Sequence, residues 1–114
     1  MKRLMMVAMS AAALAVAGTA SAQDAKIEKG IKIYADQKCA MCHSIAGKGN
    51  VKGPLDDAGN KYKVEELRQW MLDPVAMTAK YKAERKPLMP AKYTSMPKDD
   101  LDALVAYMAS LKKK

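Results

Sequence analysis

Both cysteines and the single histidine of this chain lie within five consecutive residues. They are Cys39, Cys42 and His43, in a sequence of 114 residues. Two intervening residues let one helical turn present both thiols on the same side, and the imidazole follows directly. The chain therefore concentrates its thiol and imidazole groups in one small site, around which the rest must fold.

The spacing Cys-x-x-Cys-His is the attachment signature of c-type haem. Two thiols add across the two vinyl groups of the porphyrin, and the imidazole after the second cysteine lies below the iron. The sequence thus predicts one haem c, bound covalently through Cys39 and Cys42, with His43 as an iron ligand.

Three other uses of a Cys-x-x-Cys pair compete with haem attachment. A redox dithiol usually belongs to a βαβ fold, and this chain has no alternating apolar pattern of useful length. A structural zinc site needs four ligands, whereas the chain has three cysteine and histidine residues in total. A plain disulfide also remains open for an exported protein.

The start of the chain predicts export. Lys2 and Arg3 precede an apolar run over Leu4–Gly18, and small residues then lead to Ala22. This is the pattern of a secretory signal peptide cleaved after Ala22, which leaves a single domain over residues 23–114 in the periplasm. The apolar run is shorter than the roughly 20 residues that span a bilayer, so a cleaved signal is favoured over a membrane anchor. No second segment is apolar enough to cross a membrane.

Helical periodicity predicts an all-α domain. Apolar residues spaced by three and four favour helices over Asp24–Gln37, Val64–Leu72 and Pro97–Leu111, with a further short turn over Val75–Lys80. We expect no real sheet. The loop-rich segments between the helices are long for so small a domain, so they need an organising centre that a buried cofactor would supply.

The expected apolar faces follow from the same spacing. In the first helix, which Asp24 could cap, the predicted face is Ile27, Ile31, Tyr34 and Ala35. In the last helix it is Leu101, Leu104, Val105, Met108 and Leu111.

The iron ligand opposite His43 must come from another residue type, because the chain has no second histidine. A filled sixth position suits electron transfer, whereas an open one binds gases or substrates. Methionine is the natural candidate; those after the signal peptide are Met41, Met71, Met77, Met89, Met96 and Met108. Met71 and Met108 belong to apolar helix faces and suit the core, whereas Met89 and Met96 each precede a proline in a loop.

At this point the residues after the signal peptide resemble a small class I cytochrome c over nearly their whole length. The segment KPLMPAKY, Lys86–Tyr93, resembles the methionine-proline loop that precedes the last helix in that family. The resemblance implies that Met89 is the axial ligand. Met96 is the second choice, because it lies directly before Pro97 and has little loop with which to reach the haem.

Two more segments share this resemblance. Lys52–Leu55 is similar to the family's Gly-Pro turn, which implies that the carbonyl of Pro54 accepts a hydrogen bond from the His43 ring. Trp70 resembles an aromatic residue of the middle helix that lines the haem and reaches a propionate; the alternative is an ordinary core tryptophan.

The resemblance also implies the architecture. Gly30 and Tyr34 in the first helix, with Tyr107 in the last, resemble residues at the crossing of the family's terminal helices. The expected fold is therefore the cytochrome c fold, with three to five helices around one covalently attached haem and crossed N- and C-terminal helices.

These observations predict a soluble single-electron carrier with histidine and methionine ligands, and not an enzyme. The loops lack the acids or second histidine needed for general acid–base catalysis. Two alternatives stay open. One is a haem-based ligand sensor with an open distal site, and the other is a haem subunit of a periplasmic oxidoreductase complex.

The formal net charge is +8 at pH 7. A basic rim around the haem would steer a monomeric carrier to transient, acidic-faced redox partners; the alternative is an ordinary solvated surface. Nucleic acid is not expected as a partner, because the basic residues form no known binding motif. The basic residues near the expected haem edge are Lys38, Lys48, Lys52, Lys61, Lys63, Lys80, Lys82, Arg85, Lys86 and Lys92.

Overall fold

The computed structural model describes the backbone of residues 11–113 and the side chains of residues 24–113. Within that range the fold is helical, which confirms the all-α prediction. Short 3₁₀ turns cover Cys39–Met41 and Ala91–Ser95. The helices are α1 (Ala11–Asp36), α2 (Ala58–Lys61), α3 (Val64–Leu72), α4 (Pro74–Tyr81) and α5 (Lys98–Ser110), and the strands are β1 (Ser44–Ile45) and β2 (Lys48–Gly49).

Helix α1 begins earlier than the apolar spacing predicted. Residues 1–10 of the expected signal peptide lie outside the described residues, and the cleavage after Ala22 stays a prediction. Asp24 lies inside α1 and does not cap it, which corrects the expected start. The reason is that the preceding segment is rich in alanine, the residue with the highest helix propensity.

The face that α1 turns to the core also differs from the predicted one. Ile31 is 47% exposed and Ala35 is exposed, whereas Gly30 and Ile33 are buried. A Cβ atom at Gly30 would collide with the backbone carbonyl of Ala103 in α5. This close approach sets the rotation of α1, so that Gly30 and not Ile31 lies against α5.

The terminal helices cross as expected. Tyr34 of α1 meets Tyr107 of α5 edge-to-face, with the ring centroids 5.9 Å apart. The predicted apolar face of α5 is buried at Leu101, Leu104, Val105 and Met108. This face forms the centre of the core, against which α1 and α3 pack.

The middle of the chain follows the sequence prediction closely. Helix α3 has the predicted bounds, and α4 extends the predicted turn by one residue at each end. The side chain of Asp73 accepts a hydrogen bond from the Ala76 N–H at 3.2 Å, and Pro74 takes the first helical position. Both features separate α4 from α3, because proline disfavours helix in the residue before it.

Strands β1 and β2 form an antiparallel hairpin directly after the Cys-x-x-Cys-His segment. Each has two residues, which is too short for an alternating pattern to reveal. Within the described part of the chain, no helix combines the length and apolar character needed to cross a membrane.

Candidate functional site

A largely apolar cavity of about 500 Å³ opens between α1, α3, α5 and the loops that join them. Its volume suits a bound cofactor, since such pockets usually occupy about 300–1,000 Å³. All six site residues predicted from the sequence line it: Cys39, Cys42, His43, Pro54, Trp70 and Met89.

The two cysteines are carried into this cavity by a tight turn. Lys38 adopts a left-handed conformation (φ 57°) and ends the path of α1, and the 3₁₀ turn begins at Cys39. The carbonyl of Cys39 accepts from the N–H groups of Cys42 at 3.1 Å and His43 at 2.9 Å. These bonds hold both thiols and the imidazole at one wall of the cavity.

Cys39 is half-buried, Cys42 is exposed, and no disulfide joins them. Burial raises the pKa of the Cys39 thiol to about 11. A redox dithiol requires the opposite shift, because its nucleophile is a thiolate formed at a lowered pKa. Burial of Cys39 therefore works against its acting as the nucleophile of a redox dithiol.

His43 is oriented by a backbone carbonyl. Its Nδ1 lies 3.1 Å from the carbonyl oxygen of Gly53. Because a carbonyl can only accept, Nδ1–H donates and Nε2 keeps its lone pair, as a metal ligand requires. Burial is the main cause that lowers the pKa of His43, with a smaller contribution from the charge of Arg85.

The acceptor corrects the prediction that the Pro54 carbonyl would bind the His43 ring. The carbonyl of Gly53 also accepts the Ser44 N–H at 3.1 Å, and Leu55 N–H donates to the Ser44 carbonyl at 2.8 Å. This ladder aims the Gly53 carbonyl at the segment of His43 and Ser44. Pro54 still lines the cavity with its exposed ring.

Met89 is half-buried and faces the same cavity as His43. Met41, Met71 and Met108 also line the cavity, but Met71 and Met108 are buried core residues, as expected, and Met41 is 71% exposed. Met96 is packed against the core and lies outside the cavity lining.

Two polar atoms around the cavity lack a partner. Among the described side chains, the hydroxyl of Tyr34 and Nε1 of Trp70 are buried without a hydrogen bond, and both residues line the cavity. Leaving such a group unpaired costs about 1–3 kcal/mol. The site therefore suits a ligand that is apolar over most of its area and carries hydrogen-bond acceptors. Haem, with its two carboxylates, matches this description.

Sequence patterns did not reveal two residues that shape this cavity. Tyr62 lines it, and Gly53 supplies the histidine's acceptor. Tyr62 could have been found as an aromatic residue two positions before a predicted helix. No sequence pattern marks the Gly53 carbonyl as an acceptor, because every residue type has a backbone carbonyl.

A small helical fold with adjacent thiols and imidazole at one apolar cavity defines a c-type haem protein. The chain belongs to the Cytochrome c family, whose family model matches residues 27–112. This confirms the resemblance and the expected fold. The family implies covalently bound haem c and a role in electron transfer that is generally not enzymatic, and its domains are typically extracellular or periplasmic.

A comparison with characterised proteins adds one relative. The chain is 29% identical over 93 residues to cytochrome c oxidase subunit 2 of Alkalihalophilus pseudofirmus. The match covers 74% of this chain and 25% of that protein, so the chain spans about a quarter of the relative's length. No solved structure matches the chain.

Proposed function

We propose that this protein is a soluble, periplasmic single-electron carrier with one haem c attached through Cys39 and Cys42. In this proposal His43 and Met89 are the axial ligands of the iron. The observation that carries it is that both thiols, the imidazole and the thioether of Met89 line one apolar cavity.

Haem, when bound, supplies an iron that exchanges single electrons between ferrous and ferric states. The chain's own residues adjust the ease of that exchange. Gly53 fixes the His43 ring and keeps Nε2 available as a ligand. The neutral thioether of Met89 raises the reduction potential, and the apolar walls add to this because burial disfavours extra positive charge.

The partners in this proposal are acidic redox proteins that bind transiently. Lys38, Lys61, Arg85 and Lys92 line the cavity itself, so positive charge surrounds the place where electrons would leave. Complementary charge raises the rate of encounter more than the affinity, which suits a carrier that must dissociate quickly.

The relative suggests a second candidate. Its printed name is that of an oxidase subunit, and this chain matches about a quarter of it. A haem domain that delivers electrons within an oxidoreductase complex would use the same site. Co-purification with a larger complex, in place of a free monomer, would favour this candidate.

The Met89 assignment predicts a specific spectroscopic loss. The optical spectrum of the purified protein should be low-spin, with the sulfur-to-iron band at long wavelength. Met89→Ala should abolish that band, whereas Met96→Ala should keep it because Met96 lies outside the cavity lining. Loss of the band in Met96→Ala alone would transfer the ligand to Met96. A high-spin wild-type protein that binds carbon monoxide would sink the carrier proposal and favour the sensor.

A further inference from the structure

The indole of Trp70 sits in an aromatic cluster at the cavity wall. The ring of Tyr81 stacks on it, with centroids 6.1 Å apart and planes 24° apart. Tyr62 meets the indole edge-on at 5.9 Å and meets Tyr81 at 5.2 Å. Because aromatic pairs prefer defined stacked or edge-on geometries, these neighbours fix the plane of the indole.

Tyr81 is itself held by a carboxylate. The residue is 39% exposed, so packing alone restrains it weakly. Its hydroxyl donates a hydrogen bond to Oε2 of Glu66. Glu66 is fixed in turn, because Oε1 accepts from the Lys63 N–H at 3.1 Å and Oε2 lies 3.5 Å from Nζ of Lys80.

The positions in α3 explain how one tyrosine can act on the tryptophan. Glu66 and Trp70 are four residues apart and therefore share a face of the helix. Tyr81, the last residue of α4, places its hydroxyl on Glu66 and its ring on Trp70. The hydrogen bond to Glu66 raises the pKa of Tyr81 to about 12, so the phenol remains a donor at neutral pH.

The indole held in this way presents an unused donor. Nε1 of Trp70 is buried, and no described residue accepts its hydrogen bond, although the side chain lines the cavity. A rotation of the indole would change the direction of that N–H. The cluster behind it therefore determines which cavity group the N–H can reach.

We propose that Glu66 and Tyr81 are positioning residues that hold the Trp70 N–H toward an acceptor carboxylate of the bound haem. The inference rests on the proposed function, because that function supplies the acceptor. Neither positioning residue lines the cavity; each acts through the indole.

The first test follows the indole directly. Trp70 is the single tryptophan, so the ¹⁵N-labelled, haem-loaded ferrous protein gives one indole N–H signal. Tyr81→Phe and Glu66→Ala should each speed its hydrogen exchange about tenfold, as expected when a hydrogen bond to a charged group is lost. Glu65→Ala is the matched control, since it removes the neighbouring carboxylate of α3, and it should leave the rate unchanged. Equal rates in wild type, Tyr81→Phe and Glu66→Ala would overturn the proposal.

The second test uses the reduction potential. Trp70→Phe should lower the potential, because a carboxylate without its donor stabilises the ferric state more. Tyr81→Phe should shift the potential the same way, and the two effects should not add in the double variant. Full additivity would overturn the positioning role.

Different results would overturn the proposed function and the positioning role of Glu66 and Tyr81. A wild-type protein without covalently attached haem would overturn the proposed function and this inference together. Haem-loaded protein with unchanged indole exchange in the variants would overturn only the positioning role.

Discussion

At the scale of single residues, the haem site depends on backbone groups as much as on side chains. Cys39, Cys42 and His43 are visible in the sequence because their chemistry requires those residue types at that spacing. The partner of the His43 ring is the carbonyl of Gly53. The sequence had instead predicted the carbonyl of the next residue, Pro54, as the acceptor. The direction of a carbonyl depends on backbone angles and not on residue type.

Neighbouring substitutions at Gly53 and Pro54 should show that Gly53 is the more closely packed of the two positions. A Cβ atom at Gly53 would collide with the carbonyl oxygen of Cys42 and with the Arg85 guanidinium. We expect Gly53→Ala to reduce the free energy of unfolding by about 1–3 kcal/mol, the usual cost of overpacking. Pro54→Ala should cost less than about 1 kcal/mol, mainly through greater freedom of the unfolded chain.

Denaturant unfolding of both haem-loaded variants measures the difference, and the low-spin spectrum reports the ligation. A larger loss in Pro54→Ala than in Gly53→Ala would contradict the close packing of Gly53 against Cys42 and Arg85.

At the scale of elements, the helices were predictable in extent but not always in orientation. The bounds of α3 match the prediction because Asp73 and Pro74 mark its end in the sequence. The predicted face of α1 was wrong at Ile31 and Ala35, which are exposed, whereas Tyr34 does pack against the core. Periodicity selects the most apolar stripe, which contained Ile31. Contact with α5 instead selected Gly30, where two backbones can approach closely.

Substitutions on the two faces of α1 should show which one packs. Gly30→Ala places a methyl group against the carbonyl of Ala103 and Cβ of Tyr107, so we expect a loss of about 1–3 kcal/mol in unfolding free energy. Ile31→Ala, on the exposed face, should change stability by about 0.5 kcal/mol. Thermal unfolding of both variants provides the measurement. The reverse order of effects would mean that α1 packs on the face that periodicity favoured.

At the scale of the whole molecule, charge is the property that governs the rate of encounter with redox partners. The net charge of +8 belongs to the full sequence, and several of the basic side chains line the cavity. Charges farther apart than the Debye length, about 10 Å at 0.1 M salt, are screened from each other. The rim near the cavity should therefore influence electron exchange more than equal charges elsewhere.

Electron exchange with small inorganic oxidants should reveal this local field. The rate with anionic ferricyanide should fall about tenfold as ionic strength rises, as expected for steered encounters, and the rate with a cationic cobalt complex should rise. Lys92→Glu at the cavity should slow ferricyanide more than Lys32→Glu on the exposed side of α1. Stopped-flow kinetics measures both. Equal effects of the two charge-reversal substitutions would show that net charge, and not a basic rim, controls the encounter with ferricyanide.

The sequence by itself determined the site's chemistry and most of the helices. Haem attachment follows from covalent chemistry between residues close in sequence, and helix bounds follow from local periodicity and proline. These properties depend on residues that are close in sequence, so they can be predicted from the sequence alone.

Only the tertiary structure decided contacts between distant segments. The side chain of Asp57, directly before α2, accepts the Lys113 N–H at 2.9 Å and so ties the segment after α5 to the start of α2. In the same way Tyr81 reaches back to Glu66 and Trp70. No local sequence pattern identifies such pairs, because the packing of whole helices around the cavity determines which distant residues come into contact.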